Sequence, residues 1–238
     1  MEEFIRTERL LGGEAMEKLA RARVAVFGVG GVGGYVVEAL ARSGIGALDL
    51  CDADTVALSN INRQILATHD TVGQPKVEVA RARVHAIHPA CTVRTYPVFY
   101  TPATADTFDF SVYDYVVDAI DTMAGKIALV LQAQAAGVPV ICSMGAGNKL
   151  DPTQFEVTDI YKTTHDPLAR VLRTELRRRG VRHLKVVCSR EIPQKPAPAA
   201  PQDLAPGKHT SPGSVAFVPS VAGLILAGEV IKDLINIK

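Results

Sequence analysis

Apolar runs alternate with amphipathic stretches along the first part of this chain. "RVAVF" at 23–27 is apolar after its first residue and reads as a buried strand, followed by a helical pattern over 35–43. "ALDLC" at 47–51 reads as the next strand. A helix over about 74–87, a strand near 91–98 and a strand in "YDYVVDAID" follow, then a helix over 125–136 and a strand in "VPVICSM". Buried strands alternating with helices predict a parallel sheet with right-handed crossovers. The expected fold class is therefore α/β, with a doubly wound, mainly parallel sheet over about 20–145. In such a sheet ligands bind at the carboxyl ends of the strands.

After Gly147 the texture changes. "TQFEVTDI" alternates like an antiparallel strand, and 167–179 is a helix crowded with arginines. Residues 191–214 are rich in proline and poor in large apolar side chains. Such a segment cannot bury enough surface to fold alone, which predicts a mobile loop. The closing "GSVAFVPSVAGLILAGEVIKDLI" predicts a strand and a final core helix. Val221, Leu224, Ile225, Ile231, Leu234 and Ile235 are expected on one face of that helix. The pattern divides the chain into a core over 1–145 with an N-terminal helical arm and an antiparallel extension over 146–238.

Composition narrows the functional classes. At 238 residues the chain can bury a substantial core. A charged fraction of 21% and a net charge of +1 exclude a strongly basic nucleic-acid binder on bulk charge, but not a local basic patch. The N-terminus, "MEEFIRTERLLGGEAMEKLA", is charged and amphipathic, unlike a secretory leader. The longest apolar stretch, 215–231, contains Pro219, Ser220 and Glu229 and reads as core rather than a membrane span. A cytoplasmic location is expected. Cys51, Cys91, Cys142 and Cys188 show no Cys-x-x-Cys spacing, so no zinc site is expected and free thiols are the default.

The chemistry begins at "FGVGGVGGYVVEAL", 27–40. Gly28, Gly30 and Gly33, with Gly31 between them, make G-x-G-x-x-G between a strand and a helix. The first glycine permits a tight turn, the second lets backbone approach a phosphate, and the third lets helix and strand pack closely. Asp52 closes the second strand, where an acid can bind ribose hydroxyls. On these residues alone NAD is the commonest occupant of a Rossmann-like turn. The next segment favours a different occupant. Asp54, Asn60, Asn62, Arg63, Gln64 and Lys76 follow within "DADTVALSNINRQILATHDTVGQPKVEVA". Hydride transfer has no need of an arginine, a lysine and several amides near phosphates. Nucleotidyl transfer does, because charge develops on the α-phosphate and on departing pyrophosphate. Taken singly, Arg63 and Lys76 read as surface residues, and Asp118 or Asp121 as a helix cap. Only their joint spacing points to chemistry.

In order along the chain, "GxGGVG", "D-x-D-x-V-x-x-SN-x-x-RQ", "VGQPKVE" and "DAID" resemble the ThiF-type adenylating enzymes over about 5–145. The resemblance implies ATP rather than NAD. It implies Asp52 as the ribose acid, Asn60, Arg63 and Lys76 as phosphate contacts, and Asp121 as the acid linked to Mg2+. It further implies a homodimer that lends an N-terminal arginine, Arg6 or Arg9, across its interface. Many relatives that adenylate the C-terminal Gly-Gly of a sulfur-carrier or ubiquitin-like protein carry zinc-binding cysteine pairs, which this chain lacks. Cys188, after "LKVV", reads as a buried, inert thiol.

The second half is similar to one branch, the tRNA threonylcarbamoyladenosine dehydratases, most closely over 145–179. That branch implies cyclisation of a modified tRNA base through a carboxyl-adenylate. Because the ring closes within one molecule, no enzyme nucleophile is required. Arg170, Arg173, Arg177 and Arg178, with Arg179, Arg182 and Lys185 nearby, supply a local basic patch suited to RNA phosphates. A solvated helix face is the alternative reading of the same residues. Lys162, His165 and Asp166, in "YKTTHDP", face the substrate base in this reading, and a helix cap is the alternative for His165. A sulfur-transfer protein is a further partner the resemblance leaves room for. Activation of a carrier protein, and a nucleotide-binding regulator without turnover, stay open as other functions.

Overall fold

The computed structural model describes residues 2–197 and 212–237. Its strands are β1 (Arg23–Phe27), β2 (Ala47–Cys51), β3 (Thr92–Tyr96), β4 (Tyr115–Asp118), β5 (Val140–Ser143), β6 (Phe155–Asp159) and β7 (Lys185–Ser189). They form one sheet in the order β3-β2-β1-β4-β5-β7-β6. All neighbours are parallel except β6, which runs antiparallel to β7 with Phe155 opposite Ser189. The α/β, mainly parallel class and the antiparallel end strand thus stand as expected from the sequence. β7 lies beside β5, so the second half of the chain continues the sheet of the first.

The helices are α1 (Ile5–Leu11), α2 (Gly13–Arg21), α3 (Gly33–Arg42), α4 (Lys76–Ile87), α5 (Met123–Ala135), α6 (Pro167–Arg178) and α7 (Phe217–Leu234). Both sheet faces are covered, which is why the central strands lack a polar alternate. Val24 and Val26 of β1 join Leu40, Ala222 and Leu226 on one face. Ala25 and Phe27 join Phe108, Phe110 and Leu129 on the other. A third cluster packs α6 against Cys142, Val186 and Cys188.

Two expectations are corrected. The described residues 212–216 form no strand: α7 begins at Phe217, with Pro219 in its first turn, where its missing N–H is harmless. Ile235 is buried and Ile225, Ile231 and Leu234 pack on the same core as expected, but the innermost residues of α7 are Val218, Ala222, Leu226, Ala227 and Val230, while Leu224 is 48% exposed. An almost wholly apolar helix offers no unique face to periodicity. Small residues decide instead: a Cβ on Gly223 would stand 2.4 Å from the Val32 carbonyl oxygen, so α7 seats on α3 where it carries no side chain. Of the predicted loop over 191–214, residues 198–211 lie outside the described residues.

The strand order reverses between β1 and β4, where Phe27 stands in register with Cys51 on one side and Asp118 on the other. At such a reversal the flanking loops diverge and leave a crevice at the carboxyl ends of the strands.

Candidate active site

A cleft of about 450 Å³ occupies that crevice, within the roughly 300–1,000 Å³ usual for small-molecule sites. Its floor is the glycine turn. The Gly28 N–H donates to the Cys51 carbonyl at 2.8 Å, and its φ is +87°. A Cβ on Gly28 would meet the Ala119 carbonyl oxygen at 2.7 Å, and one on Gly33 the Gly28 oxygen at 1.7 Å. Both glycines are required by packing. At Gly30 the nearest atom is the Gln64 amide nitrogen, 3.7 Å away, so this turn is open toward the cleft. No side chain caps α3; the Gly34 and Tyr35 N–H groups donate to the Gly30 and Val32 carbonyls at 2.9 and 3.1 Å, which leaves the Gly33 N–H and the glycine turn before it for an anion.

The β2 side supplies charge. Asp52 accepts the Val29 N–H at 2.7 Å and the Asp54 N–H at 2.9 Å, fixing the glycine turn to the end of β2. Lys76, first residue of α4, donates its ammonium to Asp54 at 2.7 Å and its backbone N–H to the Asp54 carbonyl at 3.0 Å. Asn60 accepts the Ala57 N–H at 3.1 Å through its side-chain oxygen. Arg63 is half-buried and donates to the Ser59 carbonyl at 3.0 Å and to the Asn62 side-chain oxygen at 2.8 Å. Burial without a carboxylate lowers its pKa from the ordinary arginine range. Gln64 is only 6% exposed, yet its Oε1 has no partner among the described residues. Such an atom is normally satisfied, so a ligand or water beside Gly30 would complete it.

The β4 side carries Asp121, an exposed residue on the cleft wall. Beneath it lies a pair that sequence reasoning missed. The Lys126 ammonium donates to Asp118 at 3.0 Å and to the Ser143 carbonyl at 2.8 Å, both side chains being fully buried. The second oxygen of Asp118 accepts the Ile120 N–H at 3.1 Å and so shapes the turn leading to Asp121. A lone lysine in the apolar run "MAGKIALVLQA" was the available signal. Val98, Phe99 and Tyr100 also line the cleft, Phe99 being 64% exposed.

Of the residues singled out from sequence, Gly28, Gly30, Gly31, Asp52, Asp54, Asn60, Arg63, Gln64, Lys76 and Asp121 line this one cleft. Gly33 and Asn62 stand behind its wall, and Arg6 and Arg9 are exposed on α1, away from the lining. The arginine-rich helix divides. Asp166 caps α6 through the Ala169 N–H and meets the Gly145 N–H beyond β5. From there α6 runs roughly 18 Å along the sheet, given 1.5 Å per residue, toward the start of β7. His165 and Arg170 therefore lie near the cleft edge, and Arg177 and Arg178 toward the opposite edge. Arg173 is engaged by Thr163, and Arg178 and Arg179 by Glu175. Lys162, Arg170 and Arg177 are exposed without an acidic partner among the described residues, Arg177 lying 5.0 Å above the Tyr161 ring.

Cys188 is 2% exposed, and burial pushes its thiol pKa up to about 12. Among the described residues no three His, Cys, Asp or Glu side chains gather to hold a metal, and no helix is long and apolar enough to cross a membrane.

The glycine turn at the sheet reversal shares one cleft with Arg63, Lys76 and Asp121, the residues whose spacing resembles the ThiF family. The sequence model of that family matches residues 5–238, and the chain belongs to it. It is 45% identical to the tRNA threonylcarbamoyladenosine dehydratase of Bacillus subtilis over 243 aligned residues, covering 99% of this chain and 96% of that protein. Its fold matches Escherichia coli tRNA N6-threonylcarbamoyladenosine dehydratase, TcdA, in complex with ATP. That match has a TM-score of 0.88 and 36% identity over 99% of this chain and 94% of the other. A sulfur carrier protein adenylyltransferase of Thermus thermophilus is 32% identical over 95% of this chain and 74% of its own.

Proposed function

We propose that the protein is an ATP-dependent tRNA threonylcarbamoyladenosine dehydratase. One observation carries this reading: Gly30, Arg63, Lys76 and Asp121, distant in sequence, line one cleft beside the uncapped start of α3. The full-length similarity to dehydratases supports the choice of substrate.

The glycine turn at the start of α3 holds the phosphates of ATP, and Asp52 and Asp54 lie where ribose hydroxyls reach. The threonyl carboxylate of the tRNA base attacks the α-phosphate, and pyrophosphate leaves. Arg63 and Lys76 balance the charge that develops there. The carbamoyl group then attacks the activated carbonyl and AMP departs with one carboxylate oxygen. The ring closes, a proton is released, and the base has lost the elements of water. Because the nucleophile belongs to the substrate, the buried Cys188 thiol is not needed.

Asp121 fits a magnesium ion carried in on the nucleotide, since Mg2+ keeps most of its waters and takes one or two carboxylates plus phosphates. The ion would supply Lewis-acid stabilisation of the phosphates. Lys162, His165 and Arg170 lie on the side from which the base approaches, with Arg177 farther along the same face. The enzyme acts in the cytoplasm as a homodimer, in which exposed Arg9 of α1 reaches the neighbouring cleft. Exposed Ile5 and Leu10 on the same helix are consistent with a covered face. Residues 146–238 form the substrate-binding extension, open to a sulfur-transfer partner. Transfer of an adenylated carrier protein onto an enzyme thiol is disfavoured by the inaccessible Cys188.

The test is mass spectrometry of nucleosides after incubation with ATP, Mg2+ and tRNA bearing the modification. Loss of one water from the base with AMP formed is expected. Arg63→Ala, Lys76→Ala and Asp121→Ala should each lower turnover by about 100-fold or more with the fold retained. An unchanged base mass, or full activity in all three variants, would overturn the assignment.

A further inference from the structure

We infer that Asn148 is a positioning residue for Arg63, acting through the segment around Gly213. The inference rests on reading the cleft as the ATP site.

Asn148 lies in the loop after β5 at φ +59°, a conformation few non-glycine residues adopt. Three of its polar groups hold two distant pieces of chain. Its N–H donates to the Gly213 carbonyl at 2.8 Å, and its Oδ1 accepts the Gly213 N–H at 2.6 Å. Its carbonyl accepts the Gln194 N–H at 2.6 Å. The residue after Gly213 continues the path. The Ser214 carbonyl accepts from Asn62 Nδ2 at 3.0 Å, and Asn62 Oδ1 accepts from Arg63 Nη1 at 2.8 Å. A hydrogen-bonded series thus runs from Asn148 through Gly213, Ser214 and Asn62 to the guanidinium.

The starting point of this series is held firmly. Lys149 and Asp166, both about 1% exposed, pair at 3.1 Å, and Asp166 also accepts the Gly145 N–H at 3.0 Å. Glu191 accepts the Leu150 and Asp151 N–H groups at 3.0 and 2.9 Å. Gly147 presses on the same segment, since a Cβ there would meet Pro212 at 2.9 Å. Pro212 and Ser214 are themselves cleft wall. At the far end, no carboxylate among the described residues directs Arg63. Apart from the Ser59 carbonyl, its one partner among the described residues is the Asn62 oxygen at the end of this series. A phosphate-binding arginine displaced by an ångström loses much of its effect.

A residue needed only for its turn could be replaced by glycine without consequence, and that is the basis of the test. Asn148→Gly keeps the backbone conformation and removes the side chain that carries the Oδ1 acceptor. ATP affinity is measured by titration calorimetry with Mg2+ and without tRNA. The expected result is an affinity about five-fold lower, with the melting temperature lowered by only about 2–4 °C, the stability effect of one lost internal hydrogen bond. Asn62→Ala lowers affinity similarly, and adding Asn148→Gly to it lowers affinity no further, because both cut the same series. Unchanged affinity in Asn148→Gly, or an effect that adds in full to that of Asn62→Ala, would overturn the inference while leaving the ATP site standing. Wild-type protein with no affinity for ATP would overturn both.

Discussion

Replacing Lys126 by methionine tests the ion pair beneath the cleft. Methionine keeps the length of the side chain and removes its charge. Asp118 then stands at the centre of the sheet, in register with Phe27 and Cys142, with no cation beside it. The Ser143 carbonyl loses its donor as well. Breaking a buried pair from one side costs about 3–5 kcal/mol, because a charge is left desolvated and unpaired. For chains of 150–250 residues each kcal/mol lowers the melting temperature by about 2–4 °C, so a drop of roughly 6–20 °C is expected. Differential scanning calorimetry of wild type, Lys126→Met and the double variant Asp118→Asn with Lys126→Met reads this directly. The double variant should regain most of the loss, since no buried charge remains and the asparagine oxygen still accepts the Ile120 N–H. A single variant melting within about 3 °C of wild type would refute the reasoning, as would a double variant no better than the single. Either result would mean that the pair is hydrated.

Two further outcomes follow from the same contacts. Gly30→Ala should fold and melt like wild type, since its new Cβ meets nothing closer than 3.7 Å, yet lose ATP affinity; Gly33→Ala should yield no soluble protein, because its Cβ overlaps the Gly28 oxygen at 1.7 Å. Calorimetry and expression yield separate them. Burial raises the thiol pKa values of Cys51 and Cys188 to about 12 and of Cys91 to about 11, against an ordinary value of about 8.5. Thiols ionise more readily in the unfolded chain, so their contribution is complete below about pH 8.5 and is lost as pH rises toward 11–12. Melting temperature followed upward from pH 8 should fall accordingly, and iodoacetamide at pH 8 should label the native protein slowly.

The nucleotide half of the site was legible because local spacing encodes it. Gly28 and Gly33 are forced by a tight turn, and Asp52 by its place at the end of a strand. Arg63 and Lys76 were recognisable only jointly, since each alone resembles a surface cation. The opposite wall was not legible. Ala146, Gly147, Pro212 and Ser214 reach the cleft through tertiary contacts between segments some 65 residues apart, as the Asn148–Gly213 bond shows. Lys126 carried a signal, a cation inside an apolar helix, but its partner Asp118 read equally well as a cap. In α6 the pairing of Glu175 with Arg178 and Arg179 follows i+3 and i+4 spacing and was present in the sequence. The start of "GSVAFVPSVAGLILAGEVIKDLI" was misread because a short apolar run suits a strand and a helix start alike.

The seat of α7 on α3 has a consequence for synthesis. The nucleotide motifs all emerge within the first half of the chain, but the apolar surface over β1 and β5 stays bare until the final helix arrives. Ala222, Leu226 and Val230 are the residues that close it over Val24, Val26 and Ile141. A ribosome must therefore reach Val230 before the first strand is dry. During that interval the nascent protein presents a sticky sheet, a state in which chaperones bind and aggregation begins. Versions cut before Phe217 would keep every phosphate-binding residue and still fail as enzymes.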